Sequence, residues 1–270
     1  MNNLTQRILT GVLGISVLIL LFWSGFWGYA IAMWVIGSAT LLEFIRLIFN
    51  KKKAWEIYFF SLSGALFQLY LLLYLHEHVH SSPSWWLIIF PLVYTLKLFD
   101  ARDKKPFVSM SQGFFSLIYV VLPFAMLHTQ VVEGQEYHFW KVMGLLLLVW
   151  SSDTGAYFAG RFLGKHKLFE RISPKKTWEG WFGGLLLTCV TGYLLGKHSG
   201  EFNMEIWLLS ALIVGTFGPI GDLVESQFKR SLDIKDSGGL LPGHGGFLDR
   251  FDAFLIATPV VVLMWINMSH

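Results

Sequence analysis

Nine apolar stretches follow one another along this chain, at 8–23, 26–45, 56–75, 84–99, 107–127, 138–158, 180–196, 205–221 and 251–268. A transmembrane helix needs about 20 mostly apolar residues, with a range of about 17–25, so each stretch is a candidate span. Several carry Gly or Pro, which membrane helices tolerate when neighbours re-satisfy the backbone. Only 14% of residues are charged, against roughly 25% in soluble proteins. The hydrophobic share is 54% and the mean hydropathy is +0.54, which excludes a cytosolic globular enzyme. The expected fold is all-α, a polytopic integral membrane protein of about nine transmembrane helices. Its 12 Trp, 24 Phe and 9 Tyr suit aromatic belts at the membrane interfaces. The first stretch lacks a small-residue cleavage site and a second span follows at once, so it reads as a span and not as a cleaved signal. The single Cys189, in an apolar run, excludes an internal disulfide framework or a Cys-based metal cluster.

A net charge of +3 gives no nucleic-acid footprint, and no nucleic-acid partner is expected. The placement of the charges says more. With the N-terminus in the cytoplasm and loops alternating, 19 of the 21 Lys and Arg residues fall inside and only Lys141 and Lys197 outside. That asymmetry favours an odd number of spans, a cytoplasmic N-terminus and an outward C-terminus in the cell (inner or plasma) membrane. No repeat, low-complexity linker or domain boundary interrupts the chain, so 1–270 is expected to be one transmembrane catalytic domain. Its longest loops, 159–179 and 222–250, are both cytoplasmic. Chemistry must be built from these loops and the helix ends beside them.

The second of these loops, read on to Asp252 just past its end, holds six of the 18 acidic residues: Asp222, Glu225, Asp233, Asp236, Asp249 and Asp252. Lys229, Arg230, Lys235 and Arg250 are interleaved with them. Hard carboxylate oxygens beside Lys and Arg suit Mg²⁺ with a polyphosphate, since Mg²⁺ is usually held by one or two carboxylates plus substrate phosphates. Asp222 at the end of one helix and Asp249 at the start of the next are placed to converge on one cation. Asp249 and Asp252, three apart, share a helical face. Glycines at 238, 239, 243, 245 and 246 permit a phosphate-cradling turn, just before a helix N-terminus that favours anions. The competing reading is a solvated connector whose charges only enforce topology.

The other loop runs from Asp153 in the sixth stretch to Ser173-Pro174-Lys175-Lys176-Thr177-Trp178-Glu179-Gly180. It is not a Walker A loop, because the closing Gly-Lys-Ser/Thr is absent. Asp153 near the edge of an apolar helix is costly to bury and is therefore a functional candidate; a structural pair with Arg161 is the alternative. Lys175 and Lys176 suit a triphosphate or a lipid phosphate, or else serve as inside-positive anchors. His76-Glu77-His78-Val79-His80 has metal-binding residue types but not the His-Glu-x-x-His spacing, and it lies on the expected outer face. Glu43 and Arg46, three apart near a span end, read as a packing pair. Lys51 to Lys53 and Lys104 to Lys105 suit contact with anionic headgroups.

The run Ser226-x-Phe228-Lys229-Arg230-x4-Lys235-Asp236-x-Gly238-x2-Leu241-Pro242-x-His244-Gly245-Gly246-Phe247-x-Asp249-Arg250-Phe251-Asp252 resembles the signature of the phosphatidate cytidylyltransferases, or CDP-diacylglycerol synthases. The Ser173–Gly180 segment resembles their second characteristic segment. The likeness covers 138–270; residues 1–137 match only in hydropathy. It implies transfer of CMP from CTP to phosphatidate, giving CDP-diacylglycerol and pyrophosphate, for phospholipid biosynthesis. In this picture the catalytic set is Asp222, Lys229, Arg230, His244, Asp249 and Asp252. Substrate binding falls to Asp153, Lys175, Lys176, Ser226, Lys235, Gly245, Gly246 and Arg250. Asp222, Asp236 and Asp249 hold one or two Mg²⁺, or Mg²⁺ with a monovalent cation such as K⁺. Membrane lipids surround the protein, and the resemblance implies a homodimer. Two other functions stay open at this point: a CTP-using lipid or polyprenol kinase, and a transporter or channel with Asp153 and Asp222 as intramembrane cation sites. The crowding of charge into two loops on one side counts against transport.

Overall fold

A computed structural model describes residues 3–49, 53–101, 103–238 and 245–268. The helical expectation holds to within a residue along all nine apolar stretches. Among the described residues, six helical segments are long and apolar enough to cross a bilayer: Phe26–Ile48, Ala54–Leu75, Pro106–Val131, Phe139–Leu163, Met204–Ser231 and Leu248–Met268. Gly11–Trp23 and Pro83–Leu98 are shorter apolar helices. Large side chains such as Leu20, Tyr58, Leu66, Phe115 and Leu186 stand exposed on these rods, as bilayer-facing surfaces require and water-facing ones avoid. The protein is integral to the membrane.

In chain order the helices are α1 (Asn3–Trp23), α2 (Phe26–Ile48), α3 (Ala54–Leu75), α4 (Ile89–Leu98), α5 (Pro106–Ser116), α6 (Leu122–Val131), α7 (Phe139–Leu163), α8 (Trp178–His198), α9 (Met204–Ser231) and α10 (Leu248–Met268). A 3₁₀ helix, Pro83–Ile88, leads into α4. A π-helical turn, Leu117–Val121, joins α5 to α6. Pro123 follows just behind that turn; it has no N–H to give the ladder, and a π-turn is one way to absorb the break. Among the described residues the strands form two short hairpins: β1 (Val132–Glu133) with β2 (Glu136–Tyr137), and β3 (Lys167–Phe169) with β4 (Ser173–Thr177), both antiparallel. The second occupies the 159–179 segment that reads as an irregular loop in the sequence.

Helices α7, α8, α9 and α10 pack in succession, and α10 turns back against α6 and α2. Backbone nearly meets backbone between α7 and α8: a Cβ at Gly155 would stand 2.6 Å from the Gly183 carbonyl, and one at Gly184 2.7 Å from that of Ser152. Such small-residue seams let membrane helices gain van der Waals contact where no hydrophobic driving force acts. Farther along, Trp207 and Trp265 are fully buried with ring centroids 6.2 Å apart. Their indoles are satisfied, Trp265 by Ser210 Oγ at 2.8 Å and Trp207 by Ser199 Oγ at 2.9 Å. The C-terminal four helices are therefore locked at one end by aromatics. At the other end they carry the charged residues.

Candidate functional site

The helix α9 does not stop where its apolar run stops. It continues from 221 to Ser231, so the first ten residues of the expected 222–250 loop are helical. Asp222, Glu225, Ser226 and Lys229 then share one stripe, because residues three and four apart are helix neighbours. Ser226 Oγ donates to Asp222 Oδ1 at 3.1 Å, and Lys229 Nζ lies 3.2 Å from Glu225 Oε2. The Glu225 side chain is 1% exposed and that of Lys229 13%, so the pair is an interior one.

Helix α10 brings the second group. Asp249 sits in its first turn, where a carboxylate complements the helix dipole. Three donors fix it: Lys229 Nζ to Oδ1 at 2.6 Å, and the amides of Ser237 and Gly246 to Oδ2 at 3.2 and 3.1 Å. Glu43, reaching across from α2, accepts the Leu248 amide at 3.0 Å. The last turn of α9, the segment before α10 and the start of α10 are thus tied to one another by carboxylates.

The third wall comes from β4 and α8. Lys176 Nζ donates to the Pro219 carbonyl at 3.1 Å and pairs with Asp222 Oδ2 at 2.7 Å. Pro219, inside α9, has no N–H for the Gly215 carbonyl one turn back; the Trp181 indole of α8 supplies that donor at 2.9 Å. Thr177 caps α8 by accepting from the Gly180 amide at 3.2 Å. Glu179 accepts from the amides of Lys165 and His166 at 3.1 and 3.2 Å, which fixes the foot of the hairpin.

These walls enclose a cavity of about 630 Å³. Four carboxylates line it, Asp153, Asp222, Asp249 and Asp252, and four cations, Arg161, Lys175, Lys176 and Arg250. Asp153 faces the charges of Asp222, Lys176 and Arg250, and Asp252 faces those of Asp222, Glu225 and Asp153. A wall of facing like charges calls for a cation, and its donors are hard oxygens of the kind Mg²⁺ takes. The cations beside them suit phosphate oxygens.

Of the residues singled out in the sequence, Asp153, Lys175, Lys176, Asp222, Asp249, Arg250 and Asp252 line this one cavity. Ser226, Lys229 and Gly246 stand behind it, bonded to Asp222 or Asp249. Gly245 adopts φ +83°, the left-handed conformation that glycine tolerates. Arg230 is exposed and donates to the Ile234 carbonyl at 3.3 Å. Lys235 and Asp236 are exposed and do not line the cavity. His244 lies outside the described residues. Arg161 donates to the Tyr157 hydroxyl at 2.7 Å. The sequence reading gives Glu225 and Glu43 no part in the site: it counts the first among the loop acids and pairs the second with Arg46. Only the first had a local signal, its i,i+4 spacing to Lys229.

Two other polar clusters have different characters. Glu56, Asp100 and Asp103 bring carboxylate oxygens within 4.8 Å of one another. The buried Lys97 ammonium bonds all three, at 2.6, 2.9 and 2.9 Å, so their charge is met from within the chain. His76 stacks on Phe26 with centroids 3.7 Å apart, and His78 on Trp27 at 5.2 Å, an aromatic packing arrangement.

The profile of the cytidylyltransferase family matches residues 5–267. The chain is 35% identical to the phosphatidate cytidylyltransferase of Bacillus subtilis (strain 168) over 272 residues, covering 98% of each chain. It is 41% identical to the phosphatidate cytidylyltransferase of Staphylococcus haemolyticus (strain JCSC1435) over 179 residues, 65% of this chain and 67% of that one. The corresponding protein of Staphylococcus aureus (strain COL) is 40% identical over 169 residues, 62% of this chain and 63% of the relative. The matched region thus spans about two thirds of the staphylococcal relatives and nearly all of the Bacillus one.

Proposed function

The chain belongs to the cytidylyltransferase family, and from that premise we propose that it transfers CMP from CTP to phosphatidate, releasing pyrophosphate and CDP-diacylglycerol. The observation that carries this reading is the cavity in which acids and bases from both polar segments meet. A phosphatidate oxygen attacks the α-phosphorus of CTP, a new P–O bond forms, and the bond to the β-phosphate oxygen breaks. The nucleophile is already an anion near neutral pH, so no strong base is needed. The protein's part is to align the two phosphates and offset their charge.

Lys175, Lys176 and Arg250 line the cavity and would hold phosphate oxygens; Lys229 orients Asp249. Asp222 and Asp249, with Asp153 and Asp252 beside them, fit a divalent cation by donor chemistry. We read that cation as Mg²⁺, with a second Mg²⁺ or K⁺ completing the site. When bound it supplies charge neutralisation for the triphosphate and the leaving pyrophosphate. Arg230, Lys235 and Asp236 do not line the cavity; the first two stay in the proposal as phosphate-binding groups, Asp236 as a further metal ligand, and His244 as a group that orients metal or nucleotide.

The same reading takes 138–270 as the catalytic half of one domain and 1–137 as the helices that support it. It takes all nine apolar stretches as spans, with the N-terminus and this cavity in the cytoplasm and the C-terminus outside, because 19 of 21 Lys and Arg then face inward. The lipid tails stay in the bilayer while the phosphate reaches the cavity, and two copies associate as a homodimer.

Purified protein in detergent, given CTP, phosphatidate and Mg²⁺, should form CDP-lipid and pyrophosphate, and chelating the metal should stop both. Release of CDP with a phosphorylated lipid would instead identify a kinase. Turnover in detergent, where no gradient exists, excludes transport as the activity.

A further inference from the structure

Glu43 lies on α2, in the N-terminal half that the sequence motifs leave without a site residue although the family profile matches it too, and its carboxylate meets the segment beside the cavity. The residue is 4% exposed. Burying a carboxylate is expensive unless hydrogen bonds compensate it. Glu43 Oε2 accepts the Leu248 amide at 3.0 Å, across 205 positions of sequence. Leu248 opens α10, and its N–H is one of the four that a helix N-terminus leaves without a partner in the helix. Glu43 is therefore a tertiary cap on the helix that carries Asp249.

The glycines around it report how closely the chain is drawn in. A Cβ on Gly238 would stand 2.8 Å from Glu43 Oε1, and one on Gly246 would collide with Glu43 Oε2 and Ser237 Oγ. Ser237 and Gly246 are the residues whose amides bind Asp249 Oδ2. The same short stretches of backbone thus pass close against Glu43 on one side and bond Asp249 on the other. Nothing else in α2 offers a carboxylate here, and Arg46 does not substitute for one.

We propose that Glu43 is a positioning residue for the proposed nucleotidyl transfer. It ties the first turn of α10 to α2 through the Leu248 amide, beside the backbone whose Ser237 and Gly246 amides bind Asp249, and so sets Asp249 opposite Lys229 at the cavity wall. This inference rests on the function proposed above. It assigns no substrate contact to Glu43 itself, so loss of the clamp acts on turnover and leaves CTP capture by Lys175 and Lys176 intact.

The test compares Glu43→Ala, Glu43→Asp and Glu43→Gln in the full-length protein, with steady-state kinetics and peptide-level hydrogen exchange over residues 245–252. Outer-shell partners of a site typically contribute 10- to 100-fold, so Glu43→Ala should lower kcat by about that factor with KM for CTP within about threefold. Its amides at the start of α10 should exchange faster by about tenfold, the equivalent of about 1.4 kcal/mol. Gln presents an oxygen of the same reach, so Glu43→Gln should recover slow exchange and most of kcat, whereas the shorter Asp should not. Unchanged kcat and exchange in Glu43→Ala overturn the inference. If Glu43→Ala does not fold, equal behaviour of the Asp and Gln variants overturns it and Gln recovery alone upholds it. Should wild-type protein form no CDP-lipid, the proposed function fails, while the exchange data still decide whether Glu43 holds the start of α10.

Discussion

Lys229 and Asp249 sit on successive helices, 20 residues apart in sequence, with ammonium and carboxylate 2.6 Å from each other. The same ammonium lies 3.2 Å from the buried carboxylate of Glu225. One lysine thus counters two acids in the interior, and it holds Asp249 Oδ1 while the Ser237 and Gly246 amides hold Oδ2. The relationship joins fold to function. It ties the polar end of α9 to the first turn of α10, and it aims one of the acids proposed to hold the metal.

Replacing Lys229 should therefore disturb stability as well as activity. Breaking a buried ion pair by removing one partner costs about 3–5 kcal/mol, since the other charge is left buried. Lys229→Met should lower the thermal midpoint in detergent and abolish CDP-lipid formation. Adding Glu225→Gln removes one orphaned charge, and the double variant should regain part of the stability without regaining activity. Additive losses in that cycle would mean that the two residues do not share a network.

Asp222 is the contrasting case. Its side chain is 42% exposed and its pair with Lys176 is open to solvent, where such pairs contribute about 0–1 kcal/mol. Asp222→Asn should melt within a degree or two of wild type yet lose about 100-fold or more in turnover, as expected for removal of a group that acts on developing charge. A Mg²⁺ titration should show a rightward shift in the variant. An unshifted titration with full activity would remove Asp222 from the metal site.

The helices are legible because a long apolar run has few alternatives, and all nine stretches are helical, although only six helical segments among the described residues are long and apolar enough to cross a bilayer. The end of α9 is not legible in that way. Gly221-Asp222-Leu223-Val224-Glu225-Ser226-Gln227-Phe228-Lys229-Arg230 loses its hydropathy while keeping its helical period, and hydropathy alone marks it as loop. The i,i+4 pairs Asp222–Ser226 and Glu225–Lys229 were the available sign. The β3–β4 hairpin left little trace, since its strands have three and five residues and one contains Pro174. The meeting of Asp222 with Asp249 follows from their places at successive helix ends, and Asp153 stands out separately as a charge at the edge of an apolar helix; with Asp252 they line one cavity in the structure. Glu43 had no such route: its partner is 205 residues away, and only the packing of α2 on α10 brings them together.

The approach of α9 to α10 gives a test free of charged groups. A Cβ on Gly221 would stand 2.5 Å from the Asp252 carbonyl and 2.9 Å from Ala253 Cα, whereas one on Gly218 would make ordinary contacts with the Ala253 methyl at 3.7 Å and Ser152 Oγ at 3.9 Å. Over-packing of this kind costs about 1–3 kcal/mol, and here it would push Asp222 away from Asp252. Gly221→Ala should lose activity and stability together. Gly218→Ala should be neutral or slightly stabilising, because Ala is the better helix former by about 1 kcal/mol. Equal effects at the two positions would show that the close approach does not matter.

The Lys97 cluster supplies a pH signature that is separate from catalysis. Burial by itself would raise the carboxyl of Asp103, but hydrogen bonds from Ser109, Lys97, the Lys105 amide and Lys53 outweigh it and hold the group well below the usual carboxylate range. A carboxylate depressed on folding stabilises the native state above its unfolded pKa, about 3.9, and that stabilisation is lost as pH falls toward the folded value. Asp103→Asn should therefore melt below wild type by a constant gap from pH 8 to pH 5. The gap should begin to close only below about pH 4, where the wild-type group starts to forfeit its advantage. Thermal melts of both proteins across that range decide the matter. A gap that already closes between pH 7 and pH 5 would mean that the lysines do not hold Asp103 ionised, and the proposed balance of charge at the foot of α3, α4 and α5 would be wrong.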